Sequence, residues 1–208
     1  MVINNEAVLE KIVQNWDKFF KLATNVDLVG SDRVKELTAM LNHFSDRAPM
    51  TPASSRLEYH GAYPGGLVDH SLRVLEYSLK LAKTYGFDSA LNKGSLVIGA
   101  LFHDWGKVGS LEEDYYLDQD SQWHRERGMM YSHNDKIQYM TVPDRALFLM
   151  QHFGVKLSSD EYLSILLNDG AYAEENRPYL MKEPTLAVII HQADRMACQF
   201  EKGRESLV

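Results

Sequence analysis

Apolar residues recur three and four positions apart along most of the chain, with polar residues at the ends of each run. This spacing is close to the 3.6-residue period of an amphipathic α-helix. The pattern therefore predicts an all-α protein folded as a compact helical bundle. Helices are predicted over residues 5–26, 31–45, 67–85, 89–108, 142–153, 158–168 and 184–202.

The period is interrupted twice. Residues 47–66 hold three prolines and end in two adjacent glycines, which is typical of a connection that runs into a new helix. Residues 112–135 mix aromatic, charged and turn-forming residues, and they predict a small β-hairpin or ordered flap. Later in the chain, Ser158 and Glu161 match a capping box.

Length and composition predict one ordered domain over residues 1–208, in which residues 1–46 form an N-terminal helical hairpin. Hydrophobic residues make up 45% of the chain and charged residues 25%, as in ordinary globular proteins. The formal net charge of -7 weighs against a surface that holds long nucleic acid or an anionic membrane. The sequence leaves open whether the protein forms a homo-oligomer.

The sequence also predicts a cytoplasmic location. The single cysteine, Cys198, cannot form an intramolecular disulfide. The first residues lack the cationic and apolar regions of a secretion signal. The longest apolar runs fall far short of the roughly 20 residues that span a bilayer, so no membrane segment is expected.

Polar residues with metal-binding chemistry enter the apolar faces of several predicted helices. His70 shares a helix face with Leu67 and Val74, so it points inward, where a core histidine satisfied by one hydrogen bond is the simpler interpretation. The apolar run 96–102 leads directly into His103 and Asp104. A buried carboxylate must be paired, hydrogen-bonded, neutral or bound to a metal.

Three further positions show the same conflict between burial and polarity. Asp194 follows His191 by three residues on one face of an apolar helix. His133 and His152 are each open to two interpretations, a core histidine or a ligand. Imidazole nitrogens and carboxylate oxygens together suit Mn, Fe, Co, Ni or Zn, with Mg as a further candidate. The candidate metal ligands are His70, His103, Asp104, His133, His152 and Asp194.

Three stretches carry a resemblance to a known family: residues 65–71 (GGLVDHS), 100–107 (ALFHDWGK) and 191–195 (HQADR). They resemble the HD superfamily of metal-dependent phosphohydrolases. The most specific part is the adjacent His-Asp followed by Gly-Lys within an apolar helix. The resemblance implies a bundle of the HD type with a metal-binding core in residues 59–201. The metal ligands that it implies are His70, His103, Asp104 and Asp194.

His133 and His152 look like the additional ligands of the two-metal branch of this superfamily, in which Asp104 would bridge two ions. Gln151 departs from the His-His pair often found in that branch, and the chain lacks the Gly-Tyr-Pro signature of cyclic-dinucleotide phosphodiesterases. The Gly-Gly-Leu-Val-Asp-His stretch looks closer to the HD domains of bacterial exoribonucleases, but no oligonucleotide-binding domain precedes it. One or two ions and a small substrate are therefore expected.

The resemblance implies that a metal-activated water hydrolyses a phosphoester or phosphoanhydride bond of a nucleotide, which can be a nucleoside monophosphate, a triphosphate or a dinucleotide. Asp104 and Lys107 are the predicted catalytic residues, because an ammonium near a phosphate oxygen stabilises the charge that accumulates there. His191 is expected to orient a ligand or the substrate. The predicted substrate-binding residues are Arg73, Lys107, Trp123, Arg125, Arg127, Tyr131 and His191.

Each of these assignments has an alternative. Lys107 can be a plain counter-ion for Asp104, and residues 123–131 can be a surface hairpin anchored by aromatic packing. For the whole protein, the alternatives are a 3'-to-5' exonuclease or phosphodiesterase acting on short nucleic acid, and a catalytically inactive module that binds a nucleotide.

Overall fold

The computed structural model describes residues 6–170, 173–204 and 206–207, so residues 1–5 of the predicted N-terminal hairpin lie outside the described residues. The α-helices are α1 (Glu6–Ala23), α2 (Val26–Val29), α3 (Val34–His43), α4 (Gly66–Thr84), α5 (Ala90–Phe102), α6 (Gln122–Arg125), α7 (Val142–His152), α8 (Ser159–Leu166) and α9 (Thr185–Glu201). Short 3₁₀ helices cover Ala48–Met50, Trp105–Val108 and Glu174–Tyr179.

The predicted helical bundle with a small hairpin is confirmed. Strand β1 (Tyr116–Asp118) pairs antiparallel with β2 (Tyr131–His133), and Tyr116 lies opposite His133. The short helix α6 lies in the connection between the two strands. No helix among the described residues is long and apolar enough to cross a lipid bilayer.

Helix α4 lies at the centre of the bundle, where it contacts α1, α5 and α9. The apolar run that ends α5 is buried throughout, which agrees with the fully apolar sequence of residues 96–102. The helices that carry the candidate ligands therefore pack directly against one another around one hydrophobic core.

An aromatic cluster anchors the end of α5. Trp105 is 1% exposed, and its ring lies 5.6 Å from the Phe19 ring and 5.4 Å from the Phe102 ring. Phe44 approaches Trp105 edge-on at 5.8 Å. Buried aromatic pairs of this kind add stabilisation beyond their apolar area. The cluster holds the chain in place next to Asp104.

The predicted helix over residues 89–108 is wrong at its carboxyl end. Helix α5 ends at Phe102, and the chain continues through His103 and Asp104 into a 3₁₀ helix. A Cβ at Gly106 would lie 2.1 Å from the Val142 carbonyl oxygen, so this turn packs closer to α7 than a continued helix with side chains allows. The break turns Asp104 and Lys107 towards the same cavity.

The N-terminal helices are also shorter than predicted. Helix α1 ends at Ala23 instead of residue 26, because the Asn25 side chain accepts a hydrogen bond from the Asp27 amide and starts α2. Helix α3 covers Val34–His43 within the predicted range 31–45.

We predict that Glu161→Gln destabilises the fold. The capping box at α8 is confirmed, and the buried Glu161 carboxylate also receives a bidentate bond from Arg33 and one from the Ser95 hydroxyl. The substitution keeps the shape but leaves the Arg33 charge unpaired. We expect a loss of about 2 to 4 kcal/mol in the free energy of unfolding, measured by urea denaturation at pH 7.

The pH dependence provides a second check on this pair. Burial alone would raise the pKa of Glu161, but the bonds and charge of Arg33, with the bonds from the Ser158 amide and the Ser95 hydroxyl, together outweigh it and hold the pKa below the ordinary 4.5. The stabilisation is therefore complete above about pH 4.5 and is lost as the pH falls through the lowered pKa. The wild type and Glu161→Gln should converge in acid, whereas Glu76→Gln, which removes an exposed pair with Lys80, should match the wild type throughout.

Candidate metal centre

Three helices bring four candidate ligands to one place. His70 lies on α4, His103 and Asp104 follow the last turn of α5, and Asp194 lies on α9. His70 and His103 are fully buried, whereas 9% of the Asp104 side chain and 16% of the Asp194 side chain are exposed. The carboxylates therefore form the side of the cluster that faces a cavity of about 380 Å³.

The ligand atoms lie within reach of one another. The Nε2 atoms of His70 and His103 are 3.3 Å apart. Asp194 Oδ1 lies 3.0 Å from His70 Nε2 and 3.8 Å from His103 Nε2. Asp104 Oδ2 lies 3.8 Å and 3.5 Å from the same two nitrogens. Two imidazole nitrogens and two carboxylate oxygens thus converge on a common centre.

Hydrogen bonds on the far side of each ring determine which nitrogen faces that centre. His70 Nδ1 donates to the buried Glu201 carboxylate at 2.8 Å, and His103 Nδ1 donates to the Ala100 carbonyl oxygen at 2.8 Å. Both partners accept this hydrogen, so Nδ1 of each ring carries it whether or not Nε2 is protonated. In the neutral form of each ring, Nε2 therefore presents a lone pair to the centre, as a metal ligand must.

The electrostatics of the cluster favour a cation. Burial alone would raise the pKa of Asp104 and Asp194, but Lys107 beside Asp104 and the hydrogen bond from His70 to Asp194 hold both below their usual range. Burial disfavours a charged His70, yet its bonds to Asp194 and Glu201 raise its pKa to about 10. Without an ion, a second proton on His70, at Nε2, supplies the positive charge beside Asp194, and a divalent ion would take the place of that proton.

The donor set fits a divalent metal. Two imidazole nitrogens with carboxylate oxygens are ligands for Zn, Mn, Fe, Co or Ni. His70, His103 and Asp194 form one group whose ligand atoms all lie within 4.8 Å of one another, and Asp104 extends it.

Lys107 lies beside the centre. Its ammonium donates to Asp104 Oδ2 at 2.6 Å, and the side chain is 12% exposed. Burial would lower the pKa of Lys107, but the Asp104 carboxylate outweighs this and raises it, so the ammonium stays charged. Lys107 is therefore placed as a counter-ion of Asp104, as the alternative interpretation expected. This position leaves Lys107 lining the cavity, with further N–H donors for a ligand.

The structure does not bring His133 and His152 to the four-residue cluster. His133 lies exposed at the end of β2, in ring contact with Tyr115 and Tyr116. His152 lies exposed at the end of α7, in ring contact with Phe148 and Phe153. Neither belongs to the metal-compatible groups found among the described residues.

The predicted substrate-binding residues fall into separate places. Arg73 donates to Glu201 Oε1 at 2.6 Å and thus supports the partner of His70 instead of lining the cavity. His191 lines the cavity, and its Nδ1 donates to the Asn168 carbonyl oxygen at 2.7 Å. Its predicted orienting role is compatible with this position.

Most of the predicted substrate-binding side chains of the flap contact other residues of the flap. The Arg127 guanidinium lies 3.6 Å from the centre of the Trp123 ring, which it covers. Arg125 donates to the Gln119 carbonyl oxygen. Tyr131 differs, because it lines a second cavity of about 380 Å³ next to the first.

Sequence reasoning missed His60, which lies in the connection before α4. Its ring centre is 4.4 Å from that of His70, and its Nε2 lies 3.8 Å from Cys198 Sγ. Burial, followed by the charges of His70 and Lys107, lowers the pKa of His60 to about 2, so the ring is neutral. The glycines of this connection were the available signal. A Cβ at Gly66 would lie 2.1 Å from the Gly61 carbonyl oxygen, so the glycine at position 66 lets the connection pack closely against the start of α4.

Glu201 and Cys198 were missed as well. Glu201 is fully buried in the last turn of α9, and Cys198 Sγ donates to Asp194 Oδ1 at 3.3 Å. Cys198 follows Asp194 by about one helical turn and Glu201 follows it by about two, so helical spacing from Asp194 was the available signal.

A family model described as the HD domain matches residues 67–198, which is more than half of the chain and includes all four clustered ligands. Neither a curated protein nor a solved structure matches the chain.

We predict that Glu201→Gln weakens metal binding about 10- to 100-fold, because the ring of His70 loses its charged orienting partner. The measurement is a chelator competition titration with Zn or Mn. Glu58→Gln is the matched control, since Glu58 borders the same cavity but pairs with Arg56. Equal affinities of Glu201→Gln and the wild type would contradict the role of Glu201.

We also predict that His133→Ala and His152→Ala keep the metal content of the wild type, whereas His103→Ala loses it. The reason is that only His103 belongs to the converging cluster. Elemental analysis of the purified proteins measures the ratio of metal to protein. A halved ratio in either of the first two variants would restore the two-ion prediction.

Proposed function

This chain belongs to the HD domain family, and from that premise we propose that it is a metal-dependent phosphohydrolase that cleaves a phosphoester or phosphoanhydride bond of a nucleotide. The observation that carries the proposal is the convergence of the two Nε2 atoms with two carboxylates beside a cavity. Such a set at a cavity wall can hold a divalent ion and leave room for a substrate.

We propose that one ion is held by His70, His103, Asp104 and Asp194. When bound, a divalent ion would supply Lewis acidity and lower the pKa of a coordinated water towards about 7. Glu201 and the Ala100 carbonyl keep the two imidazoles oriented towards that ion.

Lys107 is the residue proposed to meet the substrate phosphate. Its ammonium is fixed by Asp104 and stays charged inside the cavity wall. A phosphate oxygen placed there receives an N–H donor where negative charge accumulates during transfer. Because the donor is held in position before the reaction, little reorganisation is needed.

A small substrate is supported by the size of the cavity. A volume of about 380 Å³ lies near the lower end of the usual range for small-molecule sites. The net charge of -7 gives no general attraction to a long polyanion. We therefore favour a nucleotide over an oligonucleotide as the substrate.

We predict that Asp104→Ala abolishes both metal content and hydrolysis while the helical circular dichroism stays close to that of the wild type. The removed carboxylate is a proposed ligand and the partner of Lys107, whereas the helices are anchored elsewhere by Trp105 and its neighbours. The assay follows phosphate, pyrophosphate and nucleoside release from a nucleotide panel with Mn, Fe, Co, Ni, Zn or Mg.

Asp135→Ala is the matched control, because Asp135 is exposed and borders neither of the two cavities. It should retain wild-type activity. A metal-replete Asp104→Ala protein with wild-type turnover would refute the assigned centre, and a wild type that hydrolyses no nucleotide with any of these metals would refute the proposed reaction.

A further inference from the structure

A second cavity of about 380 Å³ adjoins the one at the metal centre. Lys107 and Tyr116 line both cavities, so their side chains form the boundary between them. A ligand that reaches the metal centre at Lys107 can therefore extend past Tyr116 into the second space. We call this space the hairpin cavity, because β1 and β2 provide much of its wall.

The walls of the hairpin cavity are suited to a flat ring. Tyr116 and Tyr131 both line the cavity, with ring centres 6.2 Å apart and an interplanar angle of 48°. The connection between α3 and α4 adds the apolar side chains of Met50, Pro52 and Pro64. Aromatic and apolar surfaces of this kind bind nucleobases by stacking, with little dependence on the base.

The charges in the hairpin cavity disfavour a further phosphate group. Its lining includes the carboxylates of Asp46, Asp114 and Asp118, against the cations Arg47 and Lys107. Arg47 Nη1 lies 3.5 Å from Asp114 Oδ1, and Lys107 is bonded to Asp104. The surplus of negative charge repels a polyphosphate chain, whereas carboxylates accept hydrogen bonds from base amino groups and sugar hydroxyls.

We propose that the hairpin cavity binds the nucleoside part of a nucleoside monophosphate whose single phosphate lies at Lys107 and the metal centre. This inference rests on the proposed function and narrows it, because the monophosphate is selected over the triphosphate. Lys107 borders both cavities, so a phosphate bound at Lys107 lies directly beside the hairpin cavity. The nucleoside therefore follows the first phosphate directly, and a single phosphate is expected.

The proposal also changes which of the predicted substrate-binding residues of the flap contacts the base. Trp123 is covered by Arg127, so the exposed end of the flap offers a ring that already has a cationic partner. Tyr131, which is half-buried, faces the hairpin cavity instead. The selectivity of the site is thus assigned to the paired strands and not to α6.

The first test compares Tyr131→Ala with Tyr131→Phe, which keeps the ring. Ligand-observed NMR titration measures the affinity for unphosphorylated nucleosides, and kinetics with the metal-loaded protein give kcat/KM for nucleoside monophosphates relative to glycerol phosphate. Both quantities should fall about 5- to 150-fold in Tyr131→Ala, the range expected for loss of base stacking. They should stay near the wild-type values in Tyr131→Phe and in Tyr139→Ala, a control whose tyrosine is 83% exposed.

A second variant keeps the test decisive if Tyr131→Ala fails to fold. Met50 is 41% exposed, so Met50→Trp can fill the hairpin cavity from its rim without burying new surface in the core. It should reduce nucleoside affinity to a similar extent. Unchanged nucleoside affinity in both variants, or a higher kcat/KM for triphosphates than for monophosphates, would overturn the proposal.

The outcomes distinguish a failure of the proposed nucleoside-binding cavity from a failure of the proposed hydrolysis. Nucleoside binding that is lost in Tyr131→Ala, in a protein that hydrolyses no nucleotide, would refute the reaction and support the cavity. Nucleotide hydrolysis with the same monophosphate preference in the wild type, Tyr131→Ala and Met50→Trp would support the reaction and refute the cavity.

Discussion

The approach of two imidazole Nε2 atoms to 3.3 Å is the constraint on which the rest of the site depends. Two lone pairs at this distance would repel each other, so a proton or a metal ion must lie between or beside the two nitrogens. The arrangement is held because each ring is tied at Nδ1, one to Glu201 and the other to the Ala100 carbonyl oxygen. The packing of α4 against α5 and α9 therefore determines the centre, since a rotation of any of these helices would separate the two nitrogens.

Helix α9 contributes two residues to this arrangement. Asp194 faces the centre, and Glu201, two turns later on the same face, closes the bond to His70. Glu201 is fully buried and would be costly alone, but Arg73 and His70 both donate to it. The orientation of one metal-facing ring thus depends on a chain of charges that begins at a half-buried arginine on α4.

The sequence was informative where burial and polarity conflict within one helix. His70, His103 and Asp194 interrupt apolar faces, and this conflict predicted that they converge. It could not separate them from His152, because helical periodicity places a side chain on a face but does not say which neighbour that face meets. His60 was missed for the same reason, since it lies in an aperiodic connection whose position depends on contacts with distant parts of the chain. The break after Phe102 was missed because the close contact between Gly106 and α7 is a tertiary effect.

The distance between the metal centre and the hairpin cavity is fixed by a buried cation. Arg145 is 3% exposed, donates to the Gly106 carbonyl oxygen and lies 4.7 Å from the centre of the Tyr115 ring. Gly106 precedes Lys107, and Tyr115 precedes Tyr116, so Arg145 joins the two backbone segments that form the boundary between the cavities. A guanidinium can do this because its planar fork donates to carbonyl oxygens while its face packs on an aromatic ring. The hairpin is therefore held in register with the 3₁₀ turn, and the packing of α7 sets the distance between Lys107 and Tyr116, the two residues that border both cavities.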